Sequence, residues 1–107
     1  MPLFSIIAFD APNSKPKRVE HLDAHVKALV SLKNDGRLFA AGPLRESIEN
    51  NANDVGSLLI IDFKNQTEAE QWFHNEPFCK AGVYKDITIR PYIDAMDFIS
   101  SYKATGA

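Results

Sequence analysis

Residues 56–63, GSLLIIDF, limit what this chain can fold into more than any other stretch. Side chains of a strand alternate between its two faces, so Leu59, Ile61 and Phe63 share one face while Leu58 and Ile60 share the other. Apolar side chains on both sides mark a central strand whose sheet is covered twice. A chain of 107 residues forms one small domain, with modest surface to bury on its own. Covering both faces therefore asks for more material than a single copy easily supplies.

The flanking segments indicate what lies beside that strand. Residues 3–9 alternate as a second strand, with Leu3, Ser5, Ile7 and Phe9 on one face and Phe4, Ile6 and Ala8 on the other. Residues 10–16 read as loop from their Pro, Asn and Ser content. A helix is expected from about residue 15 to 34, with Val19, Leu22, Val26 and Leu29 at three- and four-residue spacing. Pro16 fits its first turn, where a missing N–H costs nothing, and Gly36 fits its left-handed end. Residues 37–41 read as a short strand, Gly42-Pro43 as a turn and the polar stretch after them as an exposed loop. Thr67 to Glu70 reads as a capping box opening a second helix that buries Ala69, Trp72 and Phe73. Pro77 biases Glu76 towards extended geometry, residues 78–82 turn the chain, and Ile87 and Ile89 alternate in a last strand ended by Pro91.

The order β-α-β-β-α-β predicts a ferredoxin-like α+β fold, an antiparallel sheet with helices on one face. Because the other face is also apolar, the economical solution is a homodimer packing sheet on sheet. In the tail, residues 94–107, Met96, Ile99 and Tyr102 lie near helical spacing, either bracing that dimer or capping their own subunit.

Charge excludes one class of partner. The formal net charge is -2, and Lys15, Lys17 and Arg18 make too short a basic run for a nucleic-acid surface. The single cysteine, Cys79, allows no internal disulfide and no cysteine metal cluster, which fits a reducing compartment. The N-terminal apolar run has no basic leader or cleavage site and is too short to span a bilayer. The expectation is a cytoplasmic protein without a membrane partner.

Helical spacing sets Arg18, His21 and His25 along one side of the first helix, continuing into Leu29 and Leu32. His25 serves there either as a base or as a rim histidine bonded to the fold. His21 and His25 have an i, i+4 metal spacing, but Leu22, Asp23 and Ala24 between them supply no zincin glutamate, and a third ligand is needed. No metal site is expected, and His21 is read as lining the pocket mouth or pairing with Glu20 or Glu76. Arg18 can hold a carboxylate or phenolate in its donor fork, or pair with Glu20 or Asp23. Gly42 and Pro43 shape either a pocket wall or simply a turn. Glu76 either partners a histidine or caps a helix. Cys79 reads as an inert core thiol, and Trp72, Phe73 and Phe78 as core, Phe78 also as a pocket lining.

Taken together, Arg18, the His25 helix, GRLFAAGP at 36–43, EPFCKAGVY at 76–84 and IRP at 89–91 resemble the YCII-related (YciI-like) proteins of the dimeric α+β barrel superfamily. The resemblance covers most of the chain, residues 1–93, and leaves 94–107 as a tail. It implies a homodimer with one pocket per subunit, lined by a His–Asp pair suspected of acid–base catalysis without a cofactor. Counting back from the glycine that ends the helix, the family histidine falls on His25, and the acidic partner falls on Glu76, a Glu where the family has Asp. One relative eliminates chloride from a chlorinated hydroxyquinol, so lyase or isomerase chemistry on a small organic, anionic aromatic ligand is implied. His25 would move the proton, Glu76 would orient His25 and Arg18 would hold the anionic group, with His21, Gly42, Pro43 and Phe78 around the ligand. The competing reading is a non-catalytic ligand-binding or accessory dimer that uses the same pocket.

Overall fold

The computed structural model describes residues 2–99. Four strands, β1 (Leu3–Asp10), β2 (Leu38–Arg45), β3 (Asp54–Asp62) and β4 (Tyr84–Tyr92), form one sheet in the order β2-β3-β1-β4, with every neighbouring pair antiparallel. Helix α1 (Lys15–Asn34) links β1 to β2, and α2 (Gln66–Asn75) followed by the single turn α3 (Pro77–Lys80) links β3 to β4. This is the ferredoxin-like α+β fold, with β1 and β3 central as their apolar alternation requires.

Register decides which side chains meet the helices. Phe4 lies opposite Ile61 and Pro91, Ile6 opposite Leu59 and Ile89, and Ala8 opposite Ser57 and Ile87. This face forms the core with Phe63, Phe73, Phe78 and Val83, all nearly inaccessible. Close packing of the two central strands explains Gly56: a Cβ there would sit 2.5 Å from the Ala8 carbonyl oxygen. On the opposite face Ile7, Leu58 and Ile60 stay partly exposed, and Phe9 is 47% exposed.

Several local expectations are corrected. Gly42 and Pro43 lie inside β2, which runs to Arg45, and Pro91 lies inside β4. Both are edge strands, where a residue without an N–H can face away from the ladder. The cap of α2 is Asn65, whose side chain accepts from the Glu68 N–H at 2.9 Å, so the helix begins ahead of Thr67. The stretch after Glu76 starts with a helical turn. Along α1 the expected apolar stripe is largely outside: Val19 and Leu22 are exposed, whereas His25 and Leu32 are buried. The helix packs closely on α3, and a cleft separates its outer stripe from β2.

The end of α1 follows its sequence. Gly36 takes φ 72° just beyond the helix, and the Arg37 N–H closes back on the Leu32 carbonyl at 2.9 Å. In the tail, the Asp94 carboxylate accepts from the Phe98 and Ile99 N–H groups, and these two residues line an apolar hollow with Leu38 and Phe39. Tyr102, which completes the expected helical spacing, lies outside the described residues. Among the described residues, no helix is long and apolar enough to cross a membrane.

Candidate active site

The cleft between α1 and the β2–β3 half of the sheet holds a cavity of about 230 Å³. His25, Arg18, Gly42, Pro43 and Phe78 all line it, together with Ser57 and Leu59 from β3. A second cavity of about 280 Å³ adjoins it under the β2–β3 loop and shares Arg18, Leu22, Asp54 and Phe78.

His25 is 7% exposed, and its Nδ1 lies 2.8 Å from a carboxylate oxygen of Glu76. Glu76 is 3% exposed and uses its other oxygen to accept the Cys79 N–H at 2.9 Å, capping α3. Its backbone is extended (φ -76°, ψ 155°), the geometry that a following proline favours. One carboxylate thus performs both roles weighed for it, histidine partner and helix cap. The longer Glu side chain still reaches the ring. The His25 imidazole also stacks on Phe78, with centroids 3.8 Å apart and planes 5° from parallel, so ring tilt is fixed as well.

An ionised carboxylate only accepts, so the hydrogen of a neutral His25 belongs on Nδ1. Nε2 then carries the lone pair. No hydrogen-bond partner for Nε2 exists among the described residues, and none of their buried side-chain nitrogens or oxygens is left unsatisfied. Nε2 is therefore the open nitrogen of a cavity-lining ring, the arrangement of a general base.

Arg18 pairs with neither Glu20 nor Asp23. Its Nε and Nη2 each approach a different oxygen of Asp10 at 2.7 Å, in a pair only 11% and 12% exposed at the side chains. Nη2 also reaches the Gly56 carbonyl at 2.9 Å and the Ser57 hydroxyl at 3.2 Å. Burial works against the guanidinium charge, but the hydrogen bonds and charge of Asp10 outweigh it and raise the pKa, so Arg18 stays cationic. Its Nη1 hydrogens have no partner among the described residues, although the side chain borders both cavities. That leaves two donors for an anion.

The remaining expected residues divide. Phe78 is buried at 1% exposure, forms a cavity wall and lies 5.2 Å beneath the Arg18 guanidinium. Pro43 and Gly42 border the cavity, but a Cβ on Gly42 would meet nothing within 4 Å, so the wall there does not depend on a missing side chain. His21 is not brought to the site: it borders neither cavity and lies 3.7 Å from Glu20 on the helix exterior. Among the described residues, no group of three His, Cys, Asp or Glu side chains is placed to hold a metal ion. Burial, aided by the charge of Glu76, pushes the Cys79 thiol pKa up, away from nucleophilic thiolate.

Four polar residues of the site were not singled out by sequence: Asp10, Asp54, Ser57 and Tyr84. Ser57 is a polar residue on the core-facing side of an otherwise apolar strand, and that is the signal that could have flagged it. Asp10 and Tyr84 carry no such mark, because only the fold brings the end of β1 and the start of β4 beside Arg18.

Comparison with known proteins gives a consistent picture. A family model described as the YCII-related domain matches residues 2–93. A protein of Haemophilus influenzae is 33% identical over 92 residues, covering 83% of this chain and 94% of its own length. Protein YciI of Escherichia coli is 33% identical over 93 residues, covering 84% and 95%. Among solved structures, 5-chloro-2-hydroxyhydroquinone dehydrochlorinase of Burkholderia phenoliruptrix, in complex with 2,5-dihydroxybenzoquinone, superposes with a TM-score of 0.78 at 27% identity, covering 85% of this chain and 93% of that one. The 30S ribosomal protein S6 of Thermotoga maritima, at 17% identity and a TM-score of 0.50, covers 97% of each chain and shares the fold alone.

Proposed function

Taking as premise that this chain belongs to the YCII-related family, we propose that it is an acid–base enzyme acting on a small, oxygen-rich ring. The observation that carries this reading is His25, held at Nδ1 by Glu76 and left open at Nε2 on a cavity about 230 Å³ in volume. His25 accepts a proton from the ligand. Glu76 fixes the tautomer and offsets the imidazolium that results. Arg18, tied to Asp10 on one side, offers its remaining donors to an anionic oxygen of the ligand.

The dehydrochlorinase likeness supports a reaction class. Loss of hydrogen and chloride from a ring is an elimination: a base takes the proton, halide leaves, and no external oxidant or reductant is consumed. A lyase or isomerase step of that kind needs what the cavity offers, one base and a group for negative charge. We further propose that the chain works as a homodimer, because Ile7, Leu58, Ile60 and Phe9 leave the second face of the sheet apolar and uncovered in one copy.

The test is chloride release from 5-chloro-2-hydroxyhydroquinone by the wild type and His25→Gln. A fall of about 10²- to 10⁴-fold in the variant is expected for loss of a general base. Full turnover by His25→Gln would remove His25 from the mechanism. Binding of 2,5-dihydroxybenzoquinone without turnover of any hydroxyquinol would instead favour the accessory-binder reading.

A further inference from the structure

Ser57 is a buried polar group in the cavity that the acid–base reading leaves unused. It is 4% exposed and lines the cavity from the helix-facing side of β3. Its oxygen receives two hydrogen bonds, from the Tyr84 hydroxyl at 2.8 Å and from Arg18 Nη2 at 3.2 Å. A serine hydroxyl has two lone pairs and one hydrogen.

The direction of both bonds follows from their partners. A guanidinium has no lone pair to offer, so Arg18 donates. The Tyr84 hydroxyl has no other hydrogen-bond partner among the described residues, so donating to Ser57 is what keeps its buried phenolic hydrogen satisfied. Burial pushes the Tyr84 pKa well above the ordinary tyrosine range, only partly offset by the bond to Ser57, so the phenol keeps that hydrogen. Tyr84 then occupies one Ser57 lone pair, and Arg18 Nη2, whose two hydrogens also serve Asp10 and the Gly56 carbonyl, shares a hydrogen with the other. The Ser57 hydrogen has no acceptor among the described residues, and the cavity is the space beside it.

We infer that Ser57 donates a hydrogen bond to the ligand, holding a phenolate or enolate oxygen in the cavity that His25 serves as base, with Tyr84 as the positioning residue that fixes the hydroxyl direction. The ligand class rests on the acid–base reading above, whereas the hydroxyl direction does not. When a proton passes from the ligand to His25 Nε2, the electron pair left behind spreads to a conjugated oxygen. A donor already aimed at that oxygen, backed by the Arg18 charge, stabilises the new anion without reorganising.

Two measurements test this. A neutron structure of the unliganded, deuterium-exchanged protein should place one deuterium between Tyr84 and Ser57 on the tyrosine oxygen, and the Ser57 deuterium towards the cavity. A Ser57 deuterium pointing at Tyr84 would overturn the inference, whatever the substrate. Calorimetric titration with 2,5-dihydroxybenzoquinone should then show binding weakened about 10- to 100-fold in Ser57→Ala, the effect of one hydrogen bond to a charged acceptor. The double variant Ser57→Ala/Tyr84→Phe, which strands no buried phenol, should keep the wild-type circular dichroism and bind equally weakly. Unchanged affinity in the folded double variant would overturn the role of Ser57 and leave that of His25 standing. A wild type that does not bind the quinone would overturn the ligand class of both readings, with the deuterium position still deciding the donor.

Discussion

Glu76 and His25 are joined at 2.8 Å across 51 positions of sequence, and the carboxylate is the more buried of the two side chains. The imidazole lines the cavity and the carboxylate stands behind it, so the pair has an open side and a supporting side. That asymmetry predicts different outcomes for changes at the two positions.

Nitrogen chemical shifts of the His25 ring should report hydrogen on Nδ1 and none on Nε2 in the neutral form. Glu76→Gln should blur that tautomer preference and lower turnover about 10- to 100-fold, the usual cost of losing an orienting partner. A wild-type ring protonated at Nε2 would contradict the base assignment.

Asp10 should matter for stability beyond its apparent place at a strand end. Asp10→Ala leaves the Arg18 guanidinium buried without its counter-charge, and breaking such a pair from one side costs roughly 3 kcal/mol. Urea unfolding should show that loss. A change under about 0.5 kcal/mol, the range of ordinary surface substitutions, would mean that the pair is solvated in solution.

Alkaline pH should unfold the protein partly through Tyr84. Its folded pKa is raised, chiefly by burial, so the native state holds the proton more tightly than the unfolded chain. The contribution is intact below the ordinary tyrosine value of about 10 and is lost as pH climbs above it, by up to about 1.4 kcal/mol per pH unit. Tyr84→Phe should flatten the stability profile above about pH 10 relative to wild type. Parallel profiles would refute the coupling.

Leu58→Glu places a charge in the middle of the open sheet face, opposite Ile7. Sedimentation velocity should show a dimer for the wild type and a monomer for the variant, with the fold retained. A dimer in both would move the interface to another surface.

The His25–Glu76 pair was implied by the family resemblance, since no local rule joins residues 51 positions apart, whereas the strands and the long helix were readable from sequence through alternation and helical spacing. The length of β2 was not, since tolerance of Pro43 depends on the strand lying at a sheet edge, a property of the assembled sheet. The partner of Arg18 escaped for a similar reason. Glu20 and Asp23 are near in sequence, but burial of the guanidinium selects Asp10, eight positions back across a loop. The outward turn of Val19 and Leu22 likewise reflects packing of α1 on α3, which periodicity cannot rank against packing on the sheet.

The cap of α3 also serves as a gauge. Because one Glu76 carboxylate both receives the Cys79 amide and grips His25, a single backbone proton reports whether the site is assembled. Slow hydrogen exchange at that amide would mark molecules with an ordered imidazole, and any variant or solvent that releases it loosens the ring in the same event. The competence of a preparation could then be read without knowing its substrate.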